Sequence, residues 1–307
     1  MKFCPNCGTP CEGANFCPGC GKDLRSANTQ QSQVATPKKP VVGYAQPVSQ
    51  PVSQPSTQPA GTYDIATALA PFLVRINADG KTYTITGVRD KGITEAIIPD
   101  CVTEIGEKAF YFCSNLKHVQ LSKNMRSTGY FAFAGCSSLK TLIIPSNIKR
   151  IDEGSFSHCG LEDVQLPEGL QILGYSAFGD CKFEYIRLPS TLTVLDGNAF
   201  CGCSRLKSIV IHGGIKEIGA QSFNGCTNLA EVTISEGVEK IYDIAFRYCP
   251  SLKQITIPRS VTQIGGGSNY GGKVFENCPN LAIAKVPQHL VQQFQAQCDP
   301  TCTIIPY

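Results

Sequence analysis

The chain has 307 residues, 42% hydrophobic and 17% charged, with 17 Cys, no Trp and a formal net charge of +3. That hydrophobic content excludes wholesale disorder, and so little charge requires a surface rich in neutral polar groups. Five of the 27 Lys and Arg and two of the 24 acids fall in residues 1–62. Residues 63–307 therefore balance at 22 of each sign, which argues against a nucleic-acid wrap built on the large part. The opening Met1-Lys2-Phe3-Cys4-Pro5 has no apolar run behind it, so no signal peptide is predicted. No window reaches the ~18 apolar residues of a membrane span. A cytoplasmic chain with free thiols is the expectation, and a surface location would need a route without such a leader.

Residues 1–25 carry Cys4-Pro5-Asn6-Cys7-Gly8 and then Cys17-Pro18-Gly19-Cys20-Gly21. Each Cys-x-x-Cys pair makes a tight knuckle, and two knuckles supply the four thiolates that a structural Zn²⁺ takes in tetrahedral geometry. So short a module cannot bury a core, so metal binding must supply its folding free energy, on the order of 10–16 kcal/mol. The predicted ligands of one zinc are Cys4, Cys7, Cys17 and Cys20, with Cys11 a spare thiol. The paired Cys-Pro-x-Cys-Gly halves resemble short bacterial zinc ribbons. A redox Cys-x-x-Cys centre belongs in a βαβ setting that this stretch lacks. Four thiolates and Zn²⁺ carry −2, lowering the segment's net charge from +3 to about +1, so nucleic-acid binding through the ribbon is the weaker expectation. Residues 26–62 form a linker in which Gln46-Pro47-Val48-Ser49 recurs as Gln50-Pro51-Val52-Ser53. Proline every fourth residue forbids a helix and predicts a solvated, partly polyproline II tether.

Residues 63–307 read as a capped, β-rich repeat solenoid. Phe72–Ile76 and Thr82–Thr86 alternate around a Gly-containing turn, predicting a hairpin within an N-terminal cap over 63–90. Over 91–287, Phe stands at 110, 133, 156, 178, 200, 223, 246 and 275, each followed three residues later by Cys. A large apolar residue comes two or three residues after each Cys. A short alternating strand follows, often closed by Pro, and then a second short apolar stretch. A unit of about 22–23 residues cannot bury its apolar face alone, but stacked copies can. Phe178 should be enclosed, and Phe275, beside an insertion and the C-terminal cap, less so. Residues 288–307 read as an amphipathic helix and a last strand at 303–305. The pattern is similar to the BspA-like class of bacterial leucine-rich repeats over about residues 90–290. That resemblance implies stacked rungs used for protein binding; its members are often surface or secreted adhesion proteins, a role needing a leader that this N-terminus lacks.

The Cys ladder is read as small hydrophobes packed in the core rather than as metal or disulfide chemistry. Gly267–Val274 satisfies Gly-x-x-x-x-Gly-Lys but ends in Val where a phosphate loop needs Ser or Thr, and is read as a loop insertion. His118, His158, His212 and His289 occupy different repeat positions with no matched nucleophile, so no enzyme is predicted. What remains is the sheet face. If the apolar strand positions point inward, one outward column is Glu95, His118, Thr141, Asp163, Tyr185, Ser208, Glu231 and Gln254. The other is Ile97, Gln120, Ile143, Gln165, Arg187, Val210, Thr233 and Thr256. Asp163, Gln165, Tyr185 and Arg187 at the centre are the candidate partner-binding residues, Tyr and Arg being common hot-spot types. The predicted function is a non-enzymatic protein-interaction scaffold with the ribbon as a second module. A nucleic-acid-associated regulator, with the ribbon contacting DNA or RNA, and a cell-surface adhesion protein, as the resemblance implies, are the alternatives.

Overall fold

The computed structural model describes residues 64–267 and 271–307. The four predicted zinc ligands, the linker and Ser268–Tyr270 lie outside the described residues. The described residues form one unit. It opens with α1 (Ile65–Leu69), whose start is fixed by Asp64: its carboxylate accepts the Ala66 and Thr67 N–H groups. β1 (Phe72–Ile76) and β2 (Tyr83–Val88) then pair antiparallel, with a register shift between Leu73 and Val74. β2 continues in parallel onto Val102–Ile105, so the hairpin lies on the first rung.

Most rungs contribute two short strands to two parallel stacks; the rung of Tyr185 joins the first stack, and that of Ser127 the second, through single bridges. The second strands of successive rungs make a six-stranded ladder from Arg150–Ile151 to Gln263–Ile264. Leu195 opposite Ile218, and Ile241 opposite Ile264, show the in-register stacking. The first strands form the other stack. Glu95 sits opposite His118 and Ile97 opposite Gln120; Thr141 sits opposite Asp163 and Ile143 opposite Gln165. The same register holds for Ser208 and Glu231, Val210 and Thr233. Strands of two to four residues follow from the unit length, because proline and glycine close the turns on either side.

The third side of each rung is the turn around Phe, and its geometry differs from what the sequence suggests. The backbone N–H of Phe donates to the next rung: Phe110 to Ala132 O (2.7 Å), Phe178 to Ala199 O (2.9 Å), Phe223 to Ala245 O (2.8 Å). The residues two before and two after Phe take positive φ in almost every rung. Lys108 (55°), Phe112 (56°), Ser176 (53°), Asp180 (58°), Ile244 (52°) and Tyr248 (55°) do so without being glycine. A non-Gly residue there costs on the order of 1 kcal/mol or more, most for a β-branched side chain such as Ile244. The cost is offset because this left-handed turn aims the N–H groups along the stack: Lys108 N–H reaches Tyr130 O (2.9 Å) and Phe112 N–H reaches Ala134 O (2.8 Å).

The core follows from that turn. All eight repeat Phe side chains are fully buried. Their rings stack with centroids 4.7–6.0 Å apart and planes within 14°. Phe72 at one end and Phe294 at the other extend the stack. Phe275 is therefore as enclosed as Phe178, contrary to the expectation of a looser site beside the insertion. The C-terminal helix α2 (Val291–Gln297) provides Phe294 and so covers the final ring. The insertion leaves the stack in register, because Phe275 still lies 5.6 Å from Phe246.

The cysteine column does more than fill space. Cys159 Sγ donates to Phe133 O (3.1 Å), Cys181 to Phe156 O (3.2 Å), Cys203 to Phe178 O (3.1 Å) and Cys226 to Phe200 O (3.2 Å). Each thiol thus ties its rung to the previous one at a buried carbonyl. Alanine would fit that volume but lacks the donor.

Candidate functional site

The first-strand face carries both predicted columns outward. Ala96, Leu142, Val164, Ile186, Ile209 and Ile255 point into the core, while the residues on either side of each face solvent or lie half-buried. The columns also run on past their predicted ends at Gln254 and Thr256. Gln254 pairs with Ile283 and Thr256 with Lys285; the last strand, Thr303–Pro306, then adds Thr303 and Ile305. The result is a polar surface dotted with exposed apolar side chains: Ile97, Ile143, Val210, Ile283 and Ile305 are 38–51% exposed.

Asp163, Gln165, Tyr185 and Arg187 come together on two neighbouring rungs near the middle of this face. Asp163 and Gln165 belong to one regular strand, whereas Tyr185 joins the next rung through a single bridge to Ser208. Tyr185 is 42% exposed, and the Lys207 ammonium lies 5.7 Å from its ring centroid. Arg187 projects into solvent and approaches the exposed Glu168 at 3.7 Å. Such exposed pairs hold little energy, which leaves the guanidinium available to another acceptor.

One flank of the face is lined by ion pairs that run across rungs. Lys140 pairs with Glu162 (3.0 Å), Arg205 with Glu162 (3.5 Å) and Glu184 (3.1 Å), and Lys207 with Glu184 (2.6 Å). Lys140 holds the Glu162 carboxyl below its ordinary pKa, and Lys207 followed by Arg205 does the same for Glu184. Solvent-exposed pairs of this kind contribute little to stability. Sequence spacing alone did not show them, because Arg205 precedes its strand and reaches two acids on different rungs.

The histidines separate. His118 stands on the face. His158 Nδ1 lies 3.3 Å from Asp180 on the exposed turn side. His212 accepts the Gly214 N–H at Nδ1 (3.2 Å), so its Nε2 carries the proton that goes to Pro189 O (2.9 Å). His289 Nε2 lies 3.1 Å from Val261 O. The last two are turn fasteners. Among the described residues no group of three His, Cys, Asp or Glu is placed to hold a metal. Among them, too, no helix is long and apolar enough to cross a membrane.

The chain is similar to several solved structures. A leucine-rich repeat protein from T. pallidum is 29% identical over 60% of this chain and 88% of its own, with a TM-score of 0.56. One from Bacteroides ovatus is 27% identical over 70% of this chain, with a TM-score of 0.48; the match spans 66% of that protein's length. A leucine rich cell surface protein from Faecalibacterium prausnitzii is 21% identical over 77% of this chain and 93% of its own, with a TM-score of 0.34. No curated protein matches the chain significantly. The model of the BspA type leucine rich repeat region matches residues 89–203 and 149–282, well over half of the sequence. The chain is a member of the BspA-type leucine-rich repeat family.

Proposed function

We propose that the solenoid is a non-enzymatic protein-interaction scaffold whose recognition surface is the first-strand face, centred on Asp163, Gln165, Tyr185 and Arg187. The observation that carries this reading is the contrast along the stack. Inward positions repeat Phe, Cys and Leu or Ile rung after rung, while the outward columns change residue at almost every step along the stacked rungs. Solenoid faces of this kind bind extended partners. A tyrosine and an arginine beside apolar Val210 suit a protein partner better than a phosphate backbone, and residues 63–307 have no excess positive charge. A photoreactive side chain introduced at Gln165 should cross-link a protein in cells, while the same group at Lys108 on the turn side should not. Equal cross-linking at both positions would defeat the reading.

Cys4, Cys7, Cys17 and Cys20 are proposed to hold one structural Zn²⁺. The support is the donor set itself, two Cys-Pro-x-Cys-Gly halves with the thiolate count that zinc prefers. The ribbon then serves as a second interaction module, linked to the solenoid through effective concentration set by the proline-rich tether. Native mass spectrometry should show one zinc per chain and none in Cys17→Ser. Stoichiometric zinc retained by that variant would overturn the ligand assignment.

A further inference from the structure

Among the described residues four cations lie over tyrosine rings, and three of them also hold a carboxylate. Lys207 over Tyr185 pairs with Glu184 (2.6 Å), Lys240 over Tyr242 with Glu217 (2.8 Å), and Arg247 over Tyr248 with Glu276 (3.2 Å). The fourth is Arg259, whose guanidinium lies 5.3 Å from the Tyr307 ring centroid. No ion pair among the described residues includes it. Glu236 is near, but its two oxygens accept the backbone N–H groups of Arg259 and Ser260, each at 3.0 Å. A guanidinium stacked on a ring keeps its edge N–H groups for a planar, bidentate acceptor.

Beside Arg259 lies a groove of about 470 Å³, at the corner where the first strands of the last rungs end. Arg259, Pro287, Gln288, His289 and Tyr307 line it. The fold fixes its walls. Tyr307 donates its hydroxyl to Ile257 O (2.6 Å) and its N–H to Val286 O (3.1 Å), and its main-chain O accepts the Gln288 N–H (3.2 Å). His289 donates its Nε2–H to Val261 O (3.1 Å), which leaves Nδ1 as an acceptor.

We propose that this groove binds the C-terminal end of a peptide whose last side chain is apolar. The peptide's carboxylate takes the place beside Arg259 that a glutamate fills at the other three cation–tyrosine pairs. The apolar side chain packs against the Pro287 and Tyr307 rings, and the last peptide N–H donates to His289 Nδ1. The volume falls within the ~300–1,000 Å³ of sites for small ligands. The site is separate from Asp163, Gln165, Tyr185 and Arg187, which stand on other rungs, and does not depend on their role.

The probe is N-acetyl-leucyl-leucine, titrated into the full chain while NMR follows the His289 ring signals, identified by their loss in His289→Gln. The signals should shift and saturate. The carboxamide of the same dipeptide should bind roughly tenfold or more weakly, and so should the free acid to Arg259→Gln, because each change removes a charge-assisted hydrogen bond. Arg259 is exposed, so that variant should keep the parent's urea midpoint. Tyr185→Ala with Arg187→Glu should bind the probe as the parent does. Equal affinity for acid and carboxamide, or unchanged affinity in Arg259→Gln, would overturn the carboxylate site. So would binding lost in the Tyr185 and Arg187 variant, which would place the probe on the face. No saturable shift in the parent would overturn the groove itself.

Discussion

The turn side and the first-strand face of the same rungs follow opposite rules. On the turn side almost every rung repeats one backbone solution: a buried Phe, a Cys donating to the previous Phe carbonyl, and left-handed residues on both sides of the Phe. On the face the strands pair in separate groups of two or three, and the outward side chains do not repeat. The difference teaches where each kind of constraint lies: inter-rung register is held inside and along the turns, which leaves the face free to vary in chemistry without loss of stability.

The largest test of the interior is alkaline pH. Burial pushes the thiols of Cys113, Cys181, Cys203 and Cys226 up, Cys113 to about 11. Contact with the next thiol in the column, then burial, raises Cys136 and Cys249. The folded chain holds these protons more tightly than the unfolded chain, where a thiol titrates near 8.5–9. The stability they contribute is therefore complete below that pH and is lost as pH rises toward 11 and beyond. Each thiol that is held protonated removes up to about 1.4 kcal/mol per pH unit in that window. Urea midpoints should fall steeply between pH 9 and 10 and hardly at all between pH 7 and 8. A flat profile would mean that the column is not closed to water.

Phe178→Ala should cost roughly 3–5 kcal/mol in urea melts, and Phe275→Ala a similar amount, because Phe246 and Phe294 enclose Phe275 on both sides. A markedly smaller loss at Phe275 would show that α2 does not seal the stack.

A smaller effect probes the left-handed turns. Gly154 has φ +59°, and a Cβ there would stand 2.3 Å from the Phe131 ring of the previous rung. Gly154→Ala should destabilise by about 1–3 kcal/mol. Lys108→Gly, at an exposed position of the same kind (φ 55°), should be neutral or stabilising by under about 1 kcal/mol. If Gly154→Ala were silent, the turn would be tolerant rather than specified.

Much of this organisation was legible in the sequence because it is written eight times. The Phe and Cys spacings gave the rungs, and alternation around Val164 and Ile186 gave the outward positions of Asp163, Gln165, Tyr185 and Arg187. The left-handed turns were not legible. Their residues include Lys, Phe, His, Ile and Tyr, which advertise no positive φ; the conformation is imposed by hydrogen bonds to a neighbouring rung over twenty residues away. The thiol hydrogen bonds were hidden for a related reason, since a small buried hydrophobe and a buried donor look identical in a repeat. The margin of ion pairs depends on long side chains crossing rungs, which residue spacing does not determine.

The smallest expected change in stability carries the central claim. Tyr185→Ala with Arg187→Glu alters only outward side chains, so the urea midpoint should correspond to a change within about 0.5 kcal/mol of the parent. A control pair on the turn side, Lys108→Glu with Tyr130→Ala, should be equally mild. Quantitative capture by the full chain should then separate them: proteins retained by the parent should drop roughly tenfold or more with the face variant and persist with the turn-side variant. Capture that survives the face variant but disappears when residues 1–25 are removed would place recognition in the N-terminal module and contradict the account.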